Sequence, residues 1–368
     1  MDEQEPLFSE FPPVSTEAWH DRIREDLGED GLDELSWEPL EGLRLAPFYR
    51  ADDLDDLAHT PADLNVEPGW QLRQDVTATS LDDAARQLHD ALDGGAESIG
   101  LTPRLDDDGS LRDVPVQSPD DMRRLLDGAA LGDAAWHLGG PAALPLLALI
   151  AGEAERRNLE PTALRGTLSF DPPAALARTG TADPGAAYDE LAALLDSNEV
   201  PSKFRLLAVD LTPYHDAGAS PDLELALACA AMSEHAARLT DAGCTAESVF
   251  VNLHVTASVG RGYFLEIAAL RALRLLYRHV AGAFLNDDDP PPLCVQALTS
   301  RRDQTLYAPP TNMLRHTTEA SAAVIGGADV VRVRPHDDVA TGTATGFARR
   351  MARNTQHVLR EEAHLGRT

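Results

Sequence analysis

The chain has 368 residues, 43% of them hydrophobic, which is enough for one large folded domain or two ordinary ones and excludes a disordered chain. The 61 acidic residues outnumber the 31 basic ones, and the formal net charge of −30 disfavours nucleic-acid binding because it would repel phosphate. The sequence contains no run of about 18 apolar residues, so no membrane span is predicted. The acidic start MDEQEPLFSEF lacks the apolar core of a secretory signal, so we expect a cytoplasmic protein.

The charged residues indicate the environment of the protein and not its catalytic activity. Lys203 is the single lysine, and the acidic residues are spread along the chain rather than gathered in a functional tail. Such a composition suits a salt-rich, halophilic cytoplasm, where the charge is screened and keeps the protein hydrated. The acidic runs at 52–53, 106–108 and 287–289 are expected to be solvated loops rather than cation sites. Three cysteines far apart predict neither a disulfide framework nor a zinc site.

Residues 1–69 are predicted to form an N-terminal arm and linker. Ser15 is a candidate N-cap for an amphipathic helix that places Trp19, Ile23 and Leu27 at helical spacing. An extended apolar segment follows from Trp37 to Tyr49. The proline- and glycine-containing segment 60–69 is typical of a linker.

Residues 70–368 alternate short apolar runs with longer helical patterns. Eight strands are predicted, at 70–76, 98–105, 134–140, 164–171, 204–212, 248–256, 293–300 and 328–335. Eight helices are predicted between and after them, at 80–94, 119–128, 141–158, 184–197, 221–243, 261–284, 311–326 and 344–362. Eight βα units favour an α/β fold of the (β/α)₈ TIM-barrel type, with a doubly wound open sheet as the alternative. That alternative is weakened because no glycine-rich phosphate loop follows the first strand.

Functional residues of such a barrel lie at the C-terminal ends of the strands. The candidates at these positions are Asp75, Thr102, His137, Ser169, Asp171, Asp210, His215, His254, Thr299, Ser300, Arg332 and Arg334. His215, in the loop TPYHDAGAS, has either a functional role or a structural one, bonded to a carboxylate. His254, flanked by Leu253 and Val255, is predicted to be a hydrogen-bonded core histidine.

Arg332 and Arg334 alternate with valines, which places both on one face of a strand. If that face lines the lumen, both arginines need buried partners. They would either receive an anionic ligand or pair with lumen carboxylates such as Asp171 or Asp210 and fill the barrel, and we favour the filled barrel. The sequence has no HExxH, G-x-S-x-G or Walker motif and no cluster at metal-ligand spacing.

Several strings, in the same order, resemble the methylmalonyl-CoA mutase family. They are FPPVSTEAWHDRIREDLGED, LSWEPLEGLRLAPFYRADDL, WQLRQDV, YHDAGAS, GYFLEIAALRALRLLY, TNMLRHTTEASAAVIGGAD and ARRMARNTQHVLREEAHL. The resemblance covers nearly the whole chain. It implies a barrel of the family that isomerises (R)-methylmalonyl-CoA to succinyl-CoA, an adenosylcobalamin-dependent radical reaction of propionate metabolism in which the CoA arm threads the catalytic barrel.

Departures from the family pattern imply the role of the small, silent subunit of the two-subunit bacterial enzymes. The family's Asp-x-His-x-x-Gly cobalamin motif is absent, and the chain stops after the last predicted helix, so we expect no cobalamin domain here. Asp75 stands where the catalytic chains have tyrosine, Ser169 where they have glutamine, and Gln296 near a catalytic histidine. His215 matches the family, as do Thr299 and Ser300. One retained catalytic group is not a working site.

The resemblance therefore implies a heterodimer in which a catalytic large subunit binds adenosylcobalamin and this chain binds none. Thr299, Ser300, Arg332 and Arg334 are candidate substrate-binding residues, and His215, Asp75, Ser169 and Gln296 are vestigial catalytic positions. The aromatic arm would wrap the partner, or else pack on its own barrel. Two alternatives remain: a catalytic barrel served by a separate cobalamin-domain protein, and a barrel repurposed to bind CoA or another anion.

Overall fold

The computed structural model describes residues 11, 14–54, 68–103, 113–197, 200–287, 289–342 and 344–367. The predicted acidic run 106–108, residue 288 and most of the predicted linker lie outside these ranges. The chain divides into two compact units, Met1–Asp63 and Leu64–Thr368. None of the described helices is both long and apolar enough to cross a membrane.

The first unit contains the predicted amphipathic helix and a small hairpin. Helix α1 is Thr16–Leu27, and the hydroxyl of Ser15 caps it by accepting a hydrogen bond from the backbone N of Ala18. Helix α2 (Gly31–Leu35) and the antiparallel strands β1 (Trp37–Leu40) and β2 (Leu43–Leu45) follow, so the extended segment is paired with itself.

The second unit is a closed barrel of eight parallel strands, in the order β10-β3-β4-β5-β6-β7-β8-β9. The strands are β3 (Gln71–Val76), β4 (Ser98–Leu101), β5 (Ala135–Leu138), β6 (Arg165–Phe170), β7 (Lys203–Asp210), β8 (Leu253–Val259), β9 (Cys294–Thr299) and β10 (Val330–Arg332). The strand that begins the barrel pairs directly with the one that ends it. The predicted (β/α)₈ barrel is therefore confirmed, and the open doubly wound sheet is excluded.

Helices surround the barrel and connect successive strands. They are α3 (Leu81–Asp93), α4 (Pro119–Leu125), α5 (Ala143–Arg156), α6 (Pro172–Thr179), α7 (Pro184–Asp196), α8 (Thr212–Asp216), α9 (Pro221–Asp241), α10 (Ala246–Asn252), α11 (Tyr263–Leu285), α12 (Thr311–Ile325), α13 (Asp338–Thr341) and α14 (Gly346–His357). Side chains cap several of them: Ser80 accepts from the N of Asp83, and Ser118 from the N of Asp121.

The prediction of a strand over 248–256 is wrong for its first half. Residues 246–252 form α10, because Thr245 caps a helix that buries Val249 and Phe250, and β8 starts only at Leu253. His254 is consequently the second residue of its strand. It lies at the N-terminal end of the barrel, not at the functional C-terminal end.

Helix α11 contains a buried arginine. Arg274 donates to the carbonyls of Leu293 and Gly327 and to the carboxylate of Asp329. These bonds join the helix to the N-terminal ends of β9 and β10. The guanidinium group therefore acts as an internal tie between helix and sheet.

The main core lies between strands and helices. Alternate residues of β3 show this, since Leu72 and Val76 point outwards and are buried in the apolar cluster. The other face of the same strand, with Arg73 and Asp75, points into the lumen. The lumen therefore contains charged side chains, whereas the outer faces of the strands are apolar.

Candidate functional site

A chain of hydrogen bonds crosses the lumen, and two of its bonds join strands that are not neighbours. Arg73 of β3 donates from Nη1 to Oε1 of Gln296 on β9 at 2.6 Å. Gln296 in turn donates from Nε2 to Oγ1 of Thr167 on β6 at 2.8 Å, and that oxygen lies 2.9 Å from Nδ1 of His137 on β5. Because β6 and β9 are separated by two other strands, these bonds must pass through the barrel's interior.

Asp75 is the buried counter-ion of this chain. Its Oδ1 lies 2.7 Å from Nε of Arg73, and its Oδ2 lies 3.1 Å from Nε of Arg332. Burial by itself would raise the pKa of Asp75, but the guanidinium groups of Arg332 and Arg73 outweigh that effect and hold the pKa well below its ordinary range. Asp75 is therefore ionised at neutral pH.

We define the lumen bridge as Arg332, Asp75, Arg73, Gln296, Thr167 and His137. The space beside its Arg332 end, between β3 and β10, is a cavity of about 20 Å³, which holds about one water molecule. Gly100 is also pressed against the bridge, since a Cβ added there would lie 1.9 Å from Oδ1 of Asp75. The lumen bridge thus spans the barrel from β10 and β3 through β9 to β6 and β5.

The expected partners of the lumen arginines were wrong. Asp171 caps α6 through the N of Ala174 and also accepts from the N of Asp210, whereas Asp210 pairs with Arg178 outside the lumen. The carboxylate of the bridge comes instead from Asp75, two residues after Arg73. The alternation Arg-x-Asp in β3 places both side chains on one face and could have predicted this pair.

Arg334 lies just beyond β10 and is anchored to the end of β9. Its Nε donates to the carbonyl of Thr299 at 2.8 Å, and its backbone N donates to Oγ1 of Thr299 at 2.9 Å. Burial, followed by the charge of Arg332, lowers the pKa of Arg334 to about 10, so it remains a cation. Two hydrogen bonds therefore join Arg334 to Thr299.

A second cluster, the rim cluster, lies where the segments that follow β7, β8 and β9 meet. His215 of α8 places Nδ1 at 2.9 Å from Oε1 of Glu224 and Nε2 at 2.9 Å from Oγ of Ser300. The backbone N of Ser300 donates to Oε2 of Glu319, whereas Oε1 of Glu319 is buried without a partner among the described residues. Glu266 accepts from the N of Gly260 at 3.0 Å.

Two carboxyl groups of the rim cluster have raised pKa values, so at neutral pH Glu319 is largely protonated and Glu266 is partly protonated. Burial raises the pKa of Glu319 to about 8 and that of Glu266 to about 7. The nearby carboxylate of Asp303 raises both pKa values further. His215 is satisfied at both ring nitrogens, which agrees with the structural reading of this histidine, although its role in the reaction stays a prediction.

Other predicted positions stay apart from both clusters. Ser169 is partly exposed near the end of β6, and its side chain forms no hydrogen bond with a described residue. Burial lowers the pKa of His254 to about 3, and both of its ring nitrogens lack partners among the described residues, so it is a core histidine but not a hydrogen-bonded one. The described residues contain no group of three or more His, Cys, Asp or Glu side chains arranged to hold a metal ion.

The closed eight-stranded barrel with its polar lumen places the chain in the class of (β/α)₈-barrel proteins. Residues 59–368 match the family model described as methylmalonyl-CoA mutase, and the chain belongs to that family.

Curated relatives agree with this assignment. The chain is 31% identical to the methylmalonyl-CoA mutase small subunit of Porphyromonas gingivalis, over 99% of this chain and 59% of the relative. It is 34% identical to the small subunit of Streptomyces virginiae, over 98% of this chain and 60% of the relative. Identity to the large subunit of Streptomyces virginiae is 27%, over 97% of this chain and 53% of that subunit. The chain therefore spans between half and three-fifths of the length of these relatives.

Proposed function

We propose that this chain supplies the barrel of a catalytically silent small subunit of methylmalonyl-CoA mutase. It supports a partner large subunit, which binds adenosylcobalamin and isomerises (R)-methylmalonyl-CoA to succinyl-CoA. The observation that carries this proposal is the lumen bridge, because it occupies the path that the resemblance assigns to the CoA arm.

The lumen does not fit a CoA arm. A pantetheine chain in the lumen would have to displace Arg73, Gln296 and Thr167 from hydrogen bonds of 2.6 to 2.8 Å. It would also separate Asp75 from its two arginines, and breaking a buried ion pair costs about 3–5 kcal/mol. A neutral chain offers no charge that compensates for this loss. The barrel is therefore suited to support and not to turnover.

The residues at the vestigial catalytic positions favour the same conclusion. Asp75 is held in an ion pair with Arg73 and Arg332. Gln296 has both ends of its amide hydrogen-bonded within the lumen. His215 has both ring nitrogens hydrogen-bonded to Glu224 and Ser300, so neither is free for a substrate. We derive no step of the reaction through these groups.

A mutase assay with adenosylcobalamin and methylmalonyl-CoA tests the proposal. It compares this chain alone, the catalytic chain of the same organism alone, and the co-purified pair. We expect activity only where the catalytic chain is present, and co-elution of the two chains in a 1:1 ratio. Turnover by this chain after addition of a free cobalamin-domain protein would overturn the proposal and identify a catalytic barrel.

Thermal unfolding with and without CoA esters separates the proposed support role from a repurposed binding barrel. A ligand that binds only the folded state at 100 times its Kd stabilises it by about 2.7 kcal/mol. We expect no such rise in Tm with millimolar methylmalonyl-CoA or free CoA. A clear rise with either compound would show that the barrel binds it.

A further inference from the structure

The charge of the chain changes sharply at residue 260. Residues 1–260 carry 50 acidic and 17 basic side chains, a net charge of −33, whereas residues 261–368 carry 11 acidic and 14 basic ones, a net charge of +3. The second segment supplies α11, α12 and α14, which follow the last three strands of the barrel. One sector of an otherwise acidic protein is therefore not acidic.

The same sector holds the exposed aromatic side chains of the described barrel residues. Tyr307 is 99% exposed, Phe264 is 80% exposed, and Phe347 is also exposed. Leu314 of α12 is 73% exposed. Phe264 and Phe347 lie in the first turns of α11 and α14. Helices that follow barrel strands begin at the C-terminal rim, so these side chains share one rim.

Contacts make this part of the rim continuous. Tyr263 of α11 lies 3.0 Å from Ser321 of α12 through their hydroxyl oxygens. Asn312 of α12 donates to the carbonyl of His336, whose ring packs edge-on against Phe347 at 6.1 Å. The apolar side chains thus lie on adjoining elements and not on separate patches.

The arginines of this rim also differ from those elsewhere. Exposed arginines of the preceding helices pair with nearby carboxylates, as in Arg86–Asp83 and Arg238–Glu234. The exposed side chains of Arg261, Arg301 and Arg350 form no ion pair with a described carboxylate. Unpaired arginines beside exposed aromatic rings have the composition of an interface hot spot.

We propose that Phe264, Arg301, Tyr307, Leu314, Phe347 and Arg350, here called the arginine–aromatic rim, form the docking surface for a protein partner with an acidic face. The proposal rests on the proposed function, under which that partner is the catalytic subunit. Charge complementarity selects the occupant, because unpaired guanidinium groups attract carboxylates around an apolar contact.

A second copy of this chain does not fit the surface as well. A twofold contact places the same patch of both copies face to face. Arg301 and Arg350 of one copy would then face those of the other, without the carboxylates that neutralise them. A twofold contact between two copies of this surface is therefore disfavoured.

Binding of the full chain to the catalytic mutase chain of the same organism tests the proposal. The Kd is measured by titration for wild type, for the double variant Tyr307→Ser/Leu314→Ser and for Arg301→Glu/Arg350→Glu. We expect each double variant to raise the Kd at least 10-fold, with the charge reversal having its larger effect at the lower of two salt concentrations. All substituted side chains are partly or fully exposed, and circular dichroism checks that each variant folds.

Two control variants lie outside the rim. Lys203→Glu reverses an exposed charge at the start of β7, and Val251→Ser removes an exposed apolar side chain from α10. Both are expected to leave the Kd within about 2-fold of wild type.

The possible outcomes are distinct. If wild type binds and the rim variants bind equally well, the surface is wrong and the proposed function stands. If wild type does not bind the catalytic chain, both proposals fail. Self-association of wild type that the rim variants abolish would assign the surface to a second copy and overturn this proposal.

Discussion

Nε of Arg73 lies 2.7 Å from Oδ1 of Asp75, two residues later on the same strand, and Arg332 of the neighbouring strand holds the other oxygen of that carboxylate. Arg73 and Arg332 are directly paired in the sheet, and the carboxylate of Asp75 lies between their guanidinium groups. The arrangement explains how a barrel can carry charges in its lumen, and it makes Asp75 the residue on which the lumen bridge depends.

Replacement of Asp75 by asparagine tests this dependence. Asp75→Asn keeps the volume but leaves two buried arginines without a counter-ion, and we expect the free energy of unfolding to fall by about 3–5 kcal/mol. Urea denaturation measures the change. The control Asp120→Asn breaks an exposed pair with Arg123 and should change stability by about 1 kcal/mol or less. Equal effects of the two substitutions would contradict the assigned role of Asp75.

A pair of glycine substitutions tests how tightly the lumen is packed. At Gly100 a Cβ would lie 1.9 Å from Oδ1 of Asp75, whereas at Gly152 of α5 a Cβ meets no atom within 4 Å. We expect Gly100→Ala to destabilise the barrel by about 1–3 kcal/mol or more, because it overpacks a buried site. Gly152→Ala should stabilise it by up to about 1 kcal/mol through helix propensity. Urea denaturation measures both changes. If Gly100→Ala left the free energy of unfolding unchanged, the lumen would not be tightly packed at this position.

The rim cluster predicts that stability falls between about pH 4 and pH 8. Burial raises the pKa of Glu319 to about 8, whereas a glutamate in the unfolded chain ionises near 4.3. Between these values the folded state binds a proton that the unfolded state has lost, so stability falls as the pH rises and the loss is complete above about pH 8. Glu319→Gln should therefore gain stability over wild type, more at pH 9 than at pH 5.

Unfolding of wild type and Glu319→Gln across this pH range measures the difference. Part of the slope should remain in the variant, because burial also raises the pKa of Glu266 to about 7. The control Glu234→Gln removes a largely exposed carboxylate paired with Arg238 and should lack this pH-dependent gain. A Glu319→Gln profile parallel to that of wild type would show that Glu319 is ionised in the folded protein.

His254 predicts a separate loss of stability in acid. Burial, followed by the charges of Arg205 and Arg73, lowers its pKa to about 3, whereas an unfolded histidine titrates near 6.5. As the pH falls from about 6.5 towards 3, this histidine is protonated in the unfolded state but stays neutral in the folded state. The free energy of unfolding therefore declines. His254→Leu should remove part of this decline and leave the rest, because burial also lowers the pKa of His235 to about 4 and that of His316 to about 3. An unchanged acid slope in urea denaturation would contradict the prediction.

The sequence predicts the repeating framework better than the polar contacts inside it. Eight strands and the main helices follow from hydrophobic periodicity and from caps such as Ser80 and Ser118, which are local signals. The segment 246–252 was misread because its apolar and β-branched residues suit a strand as well as a helix, and the cap at Thr245 decides between them.

The rim cluster and the lumen bridge required the structure. Glu224, Glu266 and Glu319 meet around His215 and Ser300 although they come from three helices spread over almost 100 residues, and no local pattern predicts which acids a closed barrel brings together. The Arg73–Asp75 pair was visible in the alternation of β3. Its link to Gln296 and Thr167 crosses the barrel and has no local signal.

The pairing of β3 with β10, which closes the barrel, has a consequence for synthesis on the ribosome. Trp70, at the entry to β3, donates from its indole to Gln356, 286 positions later, and the guanidinium group of Arg360 lies 4.9 Å from its ring. Because translation proceeds from the N-terminus, β3 emerges long before β10 and α14 exist, and the growing sheet has open edges for most of elongation. The barrel therefore closes only after the last strand and α14 have been synthesised, and a chain that ends before Gln356 lacks the contacts that hold Trp70 and the start of β3.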